Sequence, residues 1–150
     1  MEKEIDRKSR MHSAEHLLNQ TMIRMFDCGR CFSAHIEKKK SKCDYHFNRP
    51  LSEKEIKEIE RQVNDVIAAD MPVAEEYISK EEAQKHYKLE RLPDDAGDSL
   101  RIIRIGDYDA CPCIGSHVNS SKEIGGFRIV SSSFEDGVLR IRYRIAQPEK

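Results

Sequence analysis

Residues 52–72 constrain the fold more than any other stretch of the chain. Ser52 and Glu55 form the Ser-x-x-Glu pattern in which hydroxyl and carboxylate each satisfy the other's backbone N–H, which starts a helix. Ile56, Ile59, Val63, Val66 and Ile67 then recur at helical spacing on one face. Pro72 has no N–H to donate and clashes with a preceding turn, so the helix is expected to stop at Asp70 or Met71. One apolar stripe needs a partner surface, and the rest of the chain supplies strands to make it.

Before this helix, Ala14, Leu18, Met22 and Met25 hold helical spacing over 10–26, with Ser9 as the expected N-cap and Gly29 just beyond the end. Phe32, Ala34 and Ile36 alternate with polar residues, as do Tyr45 and Phe47 across a lysine-rich turn, which predicts a β-hairpin with one buried face. After it, a strand is expected over Val73–Ile78. Ser79 with Glu82 repeats the capping pattern for a short helix near 80–87, and 88–99 reads as loop. Strand-like runs follow at 100–105, 126–134 and 138–145, the last two joined by Asp136-Gly137, a tight-turn pair. No repeat or linker divides the chain, and 150 residues suit one domain spanning 1–150. The expected class is α+β: an antiparallel or mixed sheet packed against the long helix and the N-terminal helix.

Charged residues make up 35% of the chain, yet the formal net charge is −1, so any contact with nucleic acid must be a local patch. The dense basic run is Lys38, Lys39, Lys40 and Lys42, read either as a solvated hairpin tip or as a place that meets RNA phosphates. No stretch reaches the ~18–20 consecutive apolar residues of a membrane span, and the N-terminus lacks the apolar segment of a signal peptide, so a cytoplasmic protein without membrane contact is expected. Five cysteines without a secretion signal point to thiols or metal ligands rather than disulfides.

His12 and His16 stand four apart, on one helical face and one turn from each other. Cys113 and His117 lie in a turn-rich segment with a glycine between them. Together the pairs offer the nitrogen and sulfur donors that zinc prefers, although either pair alone is weak evidence. The zinc-protease pattern is excluded, because it needs a glutamate directly after the first histidine and Ser13 stands there. Glu15 points about 100° away from His16 and is expected at the surface or behind the ligands. Cys28 and Cys31 have the spacing of a redox pair, but they follow a helix C-terminus, whose dipole disfavours thiolate. A separate site from Cys28, Cys31, Cys43 and Cys111 is disfavoured, since the latter two are not a close pair.

HSAEHLLNQ at 12–20, the long helix ending before Pro72, and the segment at 101–132 resemble the editing domain of alanyl-tRNA synthetase and its freestanding relatives, a domain shared with threonyl-tRNA synthetase. Asp109, Cys113, Gly115, His117, Val118, Glu123, Ile124 and Gly125 fall in that family's order and spacing. The resemblance implies zinc held by His12, His16, Cys113 and His117, with Cys113 rather than Cys111 as the thiol ligand. It also implies a misacylated tRNA as partner, no DNA, and trans-editing hydrolysis of the aminoacyl ester, with serine or glycine on alanine tRNA as the substrate. Ile114 stands where the family often has glycine, and Ser116 where it commonly has threonine. These departures bear on amino-acid preference and keep open a second reading, a catalytically inactive zinc-stabilised module that binds tRNA or a partner protein.

Overall fold

The computed structural model describes residues 6–86 and 99–146. Helix α1 spans Arg7–Phe26, strands β1 and β2 span Ser33–His35 and Ser41–His46, and helix α2 spans Glu53–Ala68. Strand β3 (Val73–Ser79) runs into helix α3 (Lys80–His86); β4 (Ser99–Ile105) and β5 (Asp109–Pro112) follow, then a 3₁₀ turn at Ser121–Ile124 and strands β6 (Phe127–Glu135) and β7 (Val138–Ile145). The class is α+β, and the strands form two antiparallel sheets rather than one: four strands in the order β1-β2-β7-β6 and three in the order β3-β4-β5.

Local chemistry explains most element boundaries. Ser52 and Glu55 make the reciprocal capping box, worth about 1 kcal/mol to α2, and Ile59, Val63, Val66 and Ile67 are its buried stripe. The helix ends at Ala68, before the residues expected from Pro72 alone, because Asp70 takes a left-handed backbone that turns the chain into β3. Asp136 and Gly137 both have positive φ, as the tight β6–β7 hairpin requires. Helix α1 starts earlier than expected: Asp6 caps it, and Ser9 lies inside, buried. Strand β5 sits in a segment that reads as turn from sequence; it is short and at a sheet edge, where Pro112 costs no ladder hydrogen bond. The expected loop at 88–99 lies outside the described residues except for Ser99, which begins β4.

The main core gathers Met11, Leu17, Leu18 and Met22 of α1, the α2 stripe, Tyr45 of β2, and Leu139, Ile141, Tyr143 and Ile145 of β7. Polar side chains finish what backbone pairing leaves open. Asn64 of α2 accepts from Phe127 N–H at 2.8 Å and donates to Phe127 C=O at 2.9 Å, while Glu60 accepts from Ile129 N–H at 2.7 Å. They thereby satisfy the free edge of β6. Asn19 Oδ1 accepts from Cys31 N–H and the Tyr45 hydroxyl, fixing the β1–β2 hairpin to α1. Helix α1 touches both β7 and β5, so it bridges the two sheets. Among the described residues no helix is long and apolar enough to cross a membrane.

Candidate metal centre

The bridging position of α1 creates the site. His12 and His16 project from consecutive turns, and the loop leaving β5 brings Cys113 and His117 against them. One donor atom from each of these four residues lies within 4.8 Å of every other. His12 Nε2 and His117 Nε2 are each 3.3 Å from Cys113 Sγ. A tetrahedral zinc with ordinary Zn–N and Zn–S bonds has nitrogen–sulfur edges of ~3.6 Å, so the two measured edges are nearly of that length.

The chemistry behind the donors fits a metal as well. Ser13 Oγ donates its one proton to Ser9 C=O at 2.9 Å and accepts from Val118 N–H at 3.1 Å. Toward His117 Nδ1, 3.0 Å away, it can therefore only accept, which places the proton on Nδ1 and leaves Nε2 with its lone pair. His12 Nδ1 lies 3.3 Å from Ser116 C=O, again an acceptor. His16 Nδ1 lies 3.3 Å from Asp109 Oδ2, an ion-pair approach whose angle falls short of a hydrogen bond. All three imidazoles thus turn Nδ1 to oxygen, the arrangement that supports metal-binding histidines.

Asp109 is itself held. Arg30 donates to both its carboxylate oxygens, at 2.9 and 3.0 Å, and Gln20 donates to Oδ1 at 2.9 Å. Despite burial, these partners and His16 keep its carboxyl far below the usual range. Burial pulls His117 down to about 4. Burial also pulls on His16, but the Asp109 carboxylate more than offsets it and raises the imidazole to about 9. Burial pushes both loop thiols up. In Cys113 the contacts with His117, His12 and His16 outweigh burial and bring it down to about 3. In Cys111 burial wins and pushes it up to about 12.

The loop approaches the helix so closely that a Cβ at Gly115 would collide with the His12 ring. Arg101 Nη1 donates to Gly115 C=O at 2.6 Å, and Ser116 Oγ meets Ser9 Oγ at 2.7 Å, tying the loop to β4 and α1. Sequence reasoning named the four donors but missed Ser13, Gln20, Arg30 and Arg101; their one sequence signal is Arg30 inside the Cys-Gly-Arg-Cys pattern. Glu15 is buried rather than at the surface, with Oε1 3.6 Å from His12 Nε2. Cys31 and Cys43 do meet, in the core beside Glu15, without Cys28 or Cys111. The lysines lie outside the donor cluster: Lys38, Lys39 and Lys40 in the exposed β1–β2 connection, and Lys42 on β2 opposite Arg142.

Replacing Ser13 with alanine removes the acceptor that fixes His117 and leaves the Val118 N–H without its partner. Zinc affinity is expected to fall about 10–100-fold, measured by competition with a chromophoric chelator. An unchanged affinity would show that Ser13 does not orient the ligand.

Residues 100–142 match the family described as the threonyl and alanyl tRNA synthetase second additional domain. Alanine–tRNA ligases resemble a larger part of the chain. That of Methanopyrus kandleri is 30% identical over 141 residues, covering 91% of this chain and 15% of the ligase. That of Fervidobacterium nodosum is 34% identical over 142 residues, covering 92% and 16%. That of Treponema denticola is 33% identical over 133 residues, covering 87% and 22%. The chain is related to alanine–tRNA ligases over most of its own length, and it spans less than a quarter of the length of these relatives.

Proposed function

We propose that residues 1–150 form one zinc-binding editing domain that hydrolyses the ester of a misacylated tRNA, acting in trans on tRNA charged elsewhere. Serine or glycine on alanine tRNA is the proposed substrate, and the tRNA-synthetase kinship of the chain supports that choice. The carrying observation is the set of three imidazoles with Nδ1 engaged, converging on the Cys113 thiolate.

His12, His16, Cys113 and His117 would hold the zinc. Zinc at such a site supplies Lewis acidity toward an ester carbonyl or a water. The chain's own residues fix the geometry around it. Ser13 and Asp109 hold the imidazoles, and Arg101 and Ser9 hold the loop that carries Cys113 and His117. An aminoacyl ester is already activated, so positioning carries much of the remaining work. Water adds to the carbonyl, the ester bond breaks, and the amino acid and a free ribose hydroxyl leave.

One observation favours the second reading. All four donors converge, and a zinc with four protein ligands is closed and structural in character. The deciding experiment incubates the zinc-loaded chain with tRNA charged separately with serine, glycine, alanine or threonine. The hydrolase reading expects release of serine or glycine well above the uncatalysed rate, abolished in His12→Ala. Uncatalysed rates for all four, with tRNA still bound, would leave the inactive binding module.

A further inference from the structure

The chain is nearly neutral, yet its charges are segregated. Along β7 the buried residues Leu139, Ile141, Tyr143 and Ile145 alternate with Arg140, Arg142 and Arg144, so the three arginines share the outer face of the four-stranded sheet. Arg144 stands opposite Arg128 of β6, and Arg142 opposite Lys42 of β2. Arg140 is paired with Asp44 at 2.7 and 2.9 Å, but no ion pair among the described residues reaches Lys42, Arg128, Arg142 or Arg144. Like charges placed directly across a ladder destabilise a sheet. Two acidic residues share this face, Asp44 and, at its far end, Glu135, against five basic ones, while α2, β3 and α3 carry clusters of acidic residues.

The basic face ends at the start of α1, the helix that carries His12 and His16. Beside Arg144 a cleft is lined by Arg7, Lys38 and Lys39, and Arg7 donates to Lys38 C=O and Ile145 C=O, pinning the start of α1 to this corner. Arg7 is five residues before His12, about 7–8 Å along the helix axis and roughly 140° around it. At the other end of the sheet Phe32, 40% exposed, stacks on His46 with ring centroids 4.0 Å apart. A basic groove with an exposed aromatic platform is the chemistry of single-stranded nucleic acid binding.

We propose that the outer face of the four-stranded sheet, through Arg128, Arg142, Arg144 and Lys42 with Arg7 at its corner, is a phosphate-binding track for RNA that leads a strand to the metal centre. The inference rests on the reading that the substrate is a charged RNA. It moves the weight of recognition from the lysine-rich connection to an arginine ladder, and explains how a chain of net charge −1 holds a polyanion.

The test compares two triple variants of the zinc-loaded chain: Arg128→Gln with Arg142→Gln and Arg144→Gln, and Lys54→Gln with Lys57→Gln and Lys85→Gln, which removes equal charge away from this face. Binding to an uncharged RNA hairpin with a single-stranded 3′ end is followed by fluorescence anisotropy across a salt series. The arginine variant is expected to lose about tenfold or more in affinity at moderate salt, and its log–log salt slope to flatten by about 2–3 for three lost phosphate contacts. Its melting temperature should equal or exceed that of the parent, because like-charge pairs have been removed. The lysine variant should keep the parent slope.

An unchanged affinity and slope in the arginine variant, or equal losses in both variants, would overturn the track. So would binding of phosphatidylserine vesicles through these arginines with no RNA binding. A parent chain that binds RNA through this face yet leaves charged tRNA intact upholds the track and rejects the hydrolase reading.

Discussion

Replacing Asp109 with alanine is expected to cost roughly 3–5 kcal/mol of folding stability, the range for removing one partner of a buried ion pair. The Asp109 carboxylate is fully buried, and three residues depend on it: Arg30 through two hydrogen bonds, Gln20 through one, and His16 through an ion-pair contact. Without it the guanidinium has no counter-charge and His16 loses what holds its Nδ1. The isosteric Asp109→Asn keeps volume but loses charge, so its deficit should be smaller. It should also depend on pH. The carboxyl is held far below its ordinary value, so the stability it contributes is complete above about pH 4, the unfolded value, and is lost as the pH falls toward the folded one. Parent and Asp109→Asn stabilities, measured by urea unfolding, should therefore be well separated near neutrality and converge in acid. A constant difference from neutrality into acid would remove the charge pairing as the cause.

Helix α2 was legible because its information is local: Ser52, Glu55 and an apolar stripe specify it without reference to the rest of the fold. The same holds for the Asp136-Gly137 hairpin. Helix α1 was legible as a helix but not in its start, because Ser9 and Asp6 both have capping chemistry. Tertiary contact decides between them: Ser9 is buried against the Cys113–His117 loop through Ser116. The four candidate metal donors were legible because each pair has its own spacing. Their supports were not, since Ser13, Arg30 and Gln20 act only after the loop, the Cys28–Cys31 turn and β5 have folded against α1. Lys42 was misread as part of a turn because the lysine run crosses the start of β2, and only the pairing with Arg142 reveals which face it occupies. The arginine alternation of β7 was visible in the sequence, but nothing in it says which face of the sheet the helices cover.

In the metal-free protein, Cys113 is expected to react with iodoacetamide far faster than Cys111, and zinc should protect it. The thiolate is the nucleophile, so reactivity follows the fraction ionised. The three surrounding histidines overcome burial and hold Cys113 down at about 3, whereas burial holds Cys111 up at about 12, two residues away on the same chain segment. The same contrast bears on the proposed ligand. Cys113→Ser should lose most zinc binding, and with it the stabilisation that binding confers: about 4 kcal/mol at zinc a thousandfold above Kd, or about 10 °C in melting temperature for a domain of this size. Cys111→Ser should keep both the zinc and the shift. Its thiol has only the carbonyl of Pro112 as a hydrogen-bond partner and belongs to no donor cluster among the described residues. Mass-spectrometric mapping of the alkylated cysteines and elemental analysis of the two variants measure these outcomes independently. Preferential labelling of Cys111, or zinc loss in Cys111→Ser with retention in Cys113→Ser, would transfer the ligand role and uncouple the loop histidine from the thiolate that gives the site its charge.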